Sequence, residues 1–214
     1  MGESVIRTIE DFTRNNTESG VGLALQDDNG RYLFFLAGTR HQKYCPPGEL
    51  FYGGIGGHRE EDEDLLSCAH REAKEEIGAD IEILPSSVSW FVSPDFTIKR
   101  LELEDKPQPC ALYKHAYPPE IAPDSRYYHI VIYEARLIGL PGDLPQDELQ
   151  GVIGLTPDQL IYYLDSKPTI DEMIYDGVQL IGGEHLDRRL RLYSIGTPRV
   201  LGNIFRYVDR LDDI

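Results

Sequence analysis

Apolar residues recur along this chain in two rhythms, and the change from one to the other marks its elements. Runs of strand length occur at VGLALQ and RYLFFLAG, on either side of Asp27-Asp28-Asn29-Gly30. An Asn-Gly pair between two such runs predicts a hairpin. A third run, LFYGGIGG, passes directly into an acidic stretch, and then the period lengthens. Leu66, Ala69, Ala73 and Ile77 fall at i, i+3, i+7 and i+11, which predicts a helix with a core stripe, and Gly78 is placed to stop it. ADIEIL, VSWFV, the alternating YYHIVIYEARL and the short GVIGL return to strand spacing. TPDQLIYYL predicts a helix, with Thr156 as cap and Pro157 at the first helical position.

The flanks are less regular. Val5, Ile6, Ile9 and Phe12 predict a short amphipathic helix over residues 3 to 14. Residues 104 to 127 carry five of the fourteen prolines and are expected to form a Pro-rich insertion. Residues 166 to 214 mix short helix and strand signals and are left as an unassigned C-terminal extension. No repeat or flexible linker divides the chain, so residues 1 to 214 are expected to form a single domain. Strands dominate around one strong internal helix, which makes the class α+β with a mixed or antiparallel sheet.

Composition narrows the function. With 41% hydrophobic and 27% charged residues the chain has ordinary globular usage, which excludes disordered and fibrous classes. Its 37 acidic against 21 basic residues give a net charge of −16. Such a surface has no electrostatic footprint for nucleic-acid backbone or an anionic membrane, so neither is an expected partner. The partner is instead cationic, or an anion brought in with metal ions. Cys45, Cys68 and Cys110 are odd in number and lack CxxC spacing, which argues against a disulfide framework or zinc ribbon. With no apolar leader at the N-terminus and no run of membrane length, a cytoplasmic location is expected.

The candidate chemistry lies between Gly57 and Ala79. On the predicted helix Glu72, Glu75 and Glu76 stand at i, i+3 and i+4, so three carboxylates share one face. Without a cation they repel one another; with one they form an oxygen-rich set suited to Mg²⁺ or Mn²⁺. Three such acids alone also describe an ordinary solvated helix face. A calcium loop is excluded because the acidic run has no glycine at its sixth position.

The full spacing, G-x5-E-x7-R-E-U-x-E-E-x-G-U with U aliphatic, resembles the Nudix box, the signature of hydrolases of nucleoside diphosphates linked to another moiety. All nine defined positions match, with Ala73 and Ala79 in the aliphatic slots. The resemblance implies the Nudix fold, an α/β/α sandwich around a mixed β-sheet. It further implies Glu72, Glu75 and Glu76 as ligands of Mg²⁺ or Mn²⁺, helped by the Gly56 carbonyl. Arg71 is implied to hold a box carboxylate in place, Gly57 and Gly78 to shape the loops, and Glu63 to support the loop or an outer metal shell. The general base is Glu148, just ahead of GVIGL, or Glu72. The partner is then a small-molecule nucleotide, and a homodimer is left open.

Substrate choice rests outside the box. Ser93-Pro94-Asp95-Phe96 is similar to a Ser-Pro-Gly-aromatic element of ADP-ribose pyrophosphatases, with Asp95 departing from Gly, and a Pro that ends a strand is the plain alternative. ADP-ribose or a nucleotide sugar is therefore the favoured substrate class, with Pro94 and Phe96 as candidate binding residues. His58 is a candidate phosphate contact or an exposed loop histidine, and His70 is expected to be packed or at the boundary of the core. The rival functions are a housecleaning hydrolase of nucleoside triphosphates or dinucleoside polyphosphates, and a Nudix-fold module that senses a nucleotide without turnover.

Overall fold

The computed structural model describes residues 6–14, 18–117, 127–142, 144–145 and 147–212. In chain order the elements are α1 (Ile9–Thr13), β1 (Ser19–Gln26), β2 (Tyr32–Ala37), α2 (Thr39–Gln42), β3 (Glu49–Gly54), α3 (Leu65–Ile77), β4 (Asp80–Leu84), β5 (Ser89–Val92), β6 (Ile98–Leu101), β7 (Ala111–Ala116), β8 (Tyr127–Ile138), β9 (Leu149–Leu155), α4 (Pro157–Tyr163), α5 (Ile170–Tyr175), β10 (Gln179–Ile181), β11 (Arg191–Ser194) and α6 (Thr197–Asp212). The strands form one mixed, eleven-stranded sheet whose main path runs β10-β9-β2-β1-β8-β7-β5-β6.

The sheet is centred on β1 and β8, which pair in parallel from Ser19↔His129 to Gln26↔Arg136. All but the last residue of β1 is buried, as expected of a strand covered on both faces. β8 is long enough to serve two partners along one edge: β7 takes Tyr127–Ile132 and β4 takes Glu134–Ile138. Its alternation feeds two cores. Val131, Tyr133, Ala135 and Leu137 join Phe12 of α1 and the α3 stripe. Ile132 joins the opposite core with Leu160 of α4, Met173 of α5 and Val200, Leu201 and Ile204 of α6. A sheet between two helical layers is thus an α/β/α sandwich.

Helix α3 forms as its sequence dictates. Asp64 caps it by accepting from the Ser67 N–H at 2.8 Å, and Gly78 ends it in the left-handed region at φ 61°. Cys68, Ala69, Ala73 and Ile77 make the buried stripe, with Leu66 only partly covered. Thr156 and Gln159 close a capping box at the start of α4.

Four expectations change. The Asn-Gly turn exists, but β1 and β2 pair only at Gln26↔Tyr32. They then diverge, β1 to β8 and β2 to β3 and β9, because those partners offer longer ladders. The first helix begins at Ile9 because Thr8 and Asp11 close a capping box there; Val5 lies outside the described residues. The Pro-rich stretch contains β7, an interior strand whose alternation is masked by its flanking prolines; residues 118–126 lie outside the described residues. The C-terminal extension is built into the sheet, with β10 on β9 and β11 parallel to β3. Among the described residues no helix is long and apolar enough to cross a membrane.

Candidate active site

The loop after β3 and the outward face of α3 carry the box. Arg71 organises one half of it. Its Nε and Nη2 donate to Glu63 Oε1 and Oε2, both at 2.9 Å, a two-pronged pairing that fits the planar guanidinium. Nη1 bridges Glu72 Oε1 at 2.9 Å and Glu75 Oε2 at 3.0 Å, and Nη2 also donates to the His58 carbonyl at 3.0 Å. One side chain thereby ties the acidic loop to the helix. Arg71 hydrogen bonding holds the Glu63 carboxyl down at about 2, and the Glu63 bond, ahead of those to Glu72 and Glu75, raises the Arg71 pKa.

The other half has no such partner. Glu76 Oε2 accepts from the Gly56 N–H at 2.9 Å. Although Glu76 keeps some contact with solvent, burial pushes its pKa up to about 8; the Gly56 bond opposes this, while the charges of Glu72, Glu148 and Glu75 add to it. Burial also raises Glu72, against the pull of Arg71. Glycine is required at position 56, and at position 57 it leaves room for Glu72. Gly56 sits at φ 135° and a Cβ there would meet the Val21 carbonyl at 2.3 Å, while a Cβ on Gly57 would meet Glu72 Oε1 at 2.4 Å. Glu148 stands at the entry to β9, ion-paired through Oε1 to Arg40 Nη1 at 3.0 Å, near enough to Glu76 to be felt.

These donors suit a hard divalent cation: they are carboxyl oxygens, and among the described residues no cationic side chain stands against Glu76. The set is not preassembled. Among the described residues no three acid, histidine or cysteine side chains stand in metal-holding geometry, because Glu72 and Glu75 are turned onto Arg71. The Gly56 main chain touches this set through its N–H.

His58 is exposed and stacks on Tyr128 at 4.4 Å, with the Tyr128 hydroxyl donating to the Gly57 carbonyl at 3.0 Å. From there a run of rings crosses the sheet face beneath α6. Tyr117 lies 6.4 Å from Tyr128, His115 5.9 Å from Tyr117, Tyr113 5.7 Å from His115 and Phe96 5.8 Å from Tyr113, and the Arg199 guanidinium sits 5.3 Å over Phe96. The sequence singles out the two ends of this run, His58 and Phe96, and points to Tyr113 and Tyr117 only as members of the Pro-rich insertion, without choosing between its tyrosines. Alternation within YYHIVIYEARL was the available signal for Tyr128, whereas Arg199 had none. Pro94 opens the turn between β5 and β6, where Asp95 bonds to Ser93 Oγ and accepts from the Thr97 N–H, and Phe96 takes φ 60°. His70 is exposed, not packed, because it lies on α3 away from the buried stripe. Cys68 and Cys110 are buried, and burial pushes the Cys68 thiol up to about 12, which makes it inert at neutral pH.

A mixed sheet between helical layers, carrying a helix with a carboxylate-lined face organised by one arginine, defines a class of pyrophosphohydrolase. The family model described as the NUDIX domain matches residues 16–174. The chain belongs to the Nudix family and is a Nudix-type pyrophosphohydrolase. No curated protein sequence matches the chain. Solved structures it is similar to include a MutT protein from Methanosarcina mazei Go1, at 10% identity over 92% of this chain and 96% of that one, TM-score 0.47. A Nudix-family hydrolase from Clostridium perfringens aligns at 18% over 68% and 84%, TM-score 0.42. An ADP-ribose pyrophosphatase from Streptococcus suis aligns at 15% over 66% and 75%, TM-score 0.38.

Proposed function

We propose that the protein hydrolyses the pyrophosphate bond of a nucleoside diphosphate linked to a second moiety, with ADP-ribose or a nucleotide sugar as the favoured class and Mg²⁺ or Mn²⁺ as cofactor. The carrying observation is Glu76: a carboxyl pushed up to about 8 by burial and by three neighbouring acids, with Arg71 already spent on Glu63, Glu72 and Glu75. A site that costs this much in charge repulsion suits a function that brings a cation to it. Glu72, Glu75 and Glu76 would hold the cation, which when bound supplies Lewis-acid neutralisation of the phosphate oxygens.

The chain's own residues do the rest. Arg71 fixes Glu72 Oε1 and leaves Oε2 to accept a proton from the attacking water, and this position on the box helix favours Glu72 over Glu148, which is ion-paired to Arg40, as general base. Glu148, held by Arg40, adds its negative charge to those around Glu76. His58, exposed at the box loop and stacked on Tyr128, offers a planar moiety a stacking position there, which supports a nucleotide substrate.

The test is turnover of a panel comprising ADP-ribose, nucleotide sugars, dinucleoside polyphosphates and nucleoside triphosphates with Mg²⁺ or Mn²⁺. The expected result is release of nucleoside monophosphate from ADP-ribose or nucleotide sugars, abolished by EDTA and by Glu76→Gln. Preference for triphosphates would move the assignment to a housecleaning hydrolase, and binding without turnover would move it to a sensing module.

A further inference from the structure

A concavity lies away from the box. On the sheet face that carries α1 and α3, an open groove of about 880 Å³ runs between α1 and strands β5 to β8, within the size range of small-molecule sites. Strand alternation separates it from the ring surface described above. In β8 Tyr128 faces the rings while His129 lines the groove; in β7 Tyr113 and His115 face the rings while Lys114 lines the groove.

The groove has an aromatic wall. Phe12 and Phe91 meet edge to face at 6.3 Å, and the His129 ring lies 4.4 Å from Phe12. It also has a cationic rim, uncommon on a chain of net charge −16. Arg7, Lys99, Arg100 and Lys114 line it. Arg7 and Arg100 make no ion pair among the described residues, Lys99 has a partner of its own, and Lys114 Nζ sits 3.9 Å over the Tyr127 ring. Of the acids that also line the groove, Asp11 is committed to the N–H groups of Arg7 and Thr8 and to Arg14 at 2.7 Å, while Glu102 and Glu104 lie along its β6 side. The His129 ring completes that wall, its Nδ1 buried and without a hydrogen-bond partner among the described residues. Burial and then the Lys114 charge hold the His129 pKa down to about 4, so at neutral pH the ring is uncharged, with one nitrogen a donor and the other an acceptor.

We propose that this groove is a second ligand site, separate from the box, that takes a nucleoside monophosphate, with the base against Phe12, Phe91 and the His129 ring and the phosphate at the cationic rim. A planar base stacks on the aromatic wall, and a phosphate dianion complements several cations at once.

The test is calorimetric titration in EDTA with adenosine monophosphate, adenosine and inorganic phosphate. The proteins are the wild type, Glu76→Gln, the double variant Arg100→Gln/Lys114→Gln, and His129→Leu, each confirmed folded by circular dichroism. Adenosine monophosphate should bind wild type and Glu76→Gln equally and more tightly than either fragment. The double variant, whose substitutions are at exposed or half-buried sites and leave the core intact, should weaken it at least about tenfold. His129→Leu should weaken adenosine monophosphate and adenosine alike while leaving phosphate unchanged. Undetectable binding to wild type, unchanged affinity in the double variant, or loss of binding in Glu76→Gln would each overturn the proposal, the last by assigning the binding to the box. Because EDTA removes the metal-dependent reaction from the measurement, the result stands apart from the fate of the hydrolase reading.

Discussion

The two halves of the box helix handle negative charge in opposite ways. Around Arg71, three carboxylates converge on one guanidinium, and Glu63 is held down to about 2. Around Glu76, one backbone N–H from Gly56 meets a carboxyl that burial and its neighbours push up to about 8. The first half is complete within the chain and serves as scaffold. The second lacks a cation, and a helix face that stored repulsion without use would be expected to relax by pairing or by exposure. The difference separates what this helix does for the fold from what it does for a ligand.

The largest effect is expected where charge is uncompensated. Glu76→Gln should lower turnover at least about a thousandfold, as loss of a metal donor removes charge stabilisation that nothing else replaces. In metal-free protein the same change should raise stability, and the sign depends on pH. Because the folded pKa of Glu76 is raised from 4.5 to about 8, its contribution is fully present below about 4.5 and is lost as pH rises through about 8. Thermal melts in EDTA should therefore show Glu76→Gln drawing ahead of wild type between these values, by on the order of a few kcal/mol at the alkaline end. Glu63 runs the other way: its contribution is present above about 4.5 and is lost as pH falls towards about 2. Magnesium should raise the melting temperature of wild type more than that of Glu76→Gln. Equal melting curves at all pH values would erase the contrast between the two halves.

The scaffold half predicts a different signature. Arg71→Ala should cost about 3 kcal/mol in stability, since it leaves Glu63 and Glu72, both largely buried, without their partner. Turnover should fall by about a hundredfold through misplacement of Glu72. Arg71→Lys should recover little of either, because an ammonium cannot make the paired contact to Glu63 while bridging Glu72 and Glu75. Denaturant melts and steady-state kinetics on both variants check this, and full rescue by lysine would reduce Arg71 to a point charge.

How much of this was legible beforehand depends on the range of the interactions involved. The box helix, its glycine stop and the α4 cap are local, set by side chains within four residues, and their sequence signals carried through. The Asn-Gly turn is local too, but the fate of the strands it joins is not: β1 runs against β8, over a hundred residues away, and only one pair of the hairpin forms. β7 and β11 went unrecognised because their neighbours in the sheet, not their own alternation, define them. The site shows the same division. Glu72, Glu75 and Glu76 were visible as a spacing, but their unequal environments come from the loop of Gly56 and Gly57, from Glu148 and from which carboxylates Arg71 captures. The ring surface from His58 to Arg199 draws on the box loop, β7, β8, the turn after β5 and α6, and thirteen tyrosines gave no local reason to prefer those three.

Gly57 joins the two halves and supplies a finer test. A Cβ there would meet Glu72 Oε1 at 2.4 Å and no backbone atom comes nearer, so Gly57→Ala is absorbed by moving the end of one side chain. Stability should change by less than about 1 kcal/mol, while turnover falls by about ten- to a hundredfold because Glu72 is displaced from the position Arg71 sets. Gly56→Ala, whose Cβ would strike the Val21 carbonyl at 2.3 Å from a left-handed backbone, should instead destabilise the fold.

The smallest effect belongs to Glu148. If Glu72 is the base, Glu148→Gln removes one of the charges that raise Glu76 and releases Arg40, but it takes away no proton acceptor. Turnover should then fall by less than about tenfold, and the metal-free Glu76 pKa should move back towards its ordinary value, narrowing the pH window of the stability difference. Glu72→Gln should lower turnover by about a hundredfold or more. Comparing pH-rate profiles of the two variants decides between the carboxylates. Loss of the profile's acid limb in Glu148→Gln, with its retention in Glu72→Gln, would transfer the proton to Glu148 and make the entry of β9, instead of the Arg71 half of the box, the seat of the base.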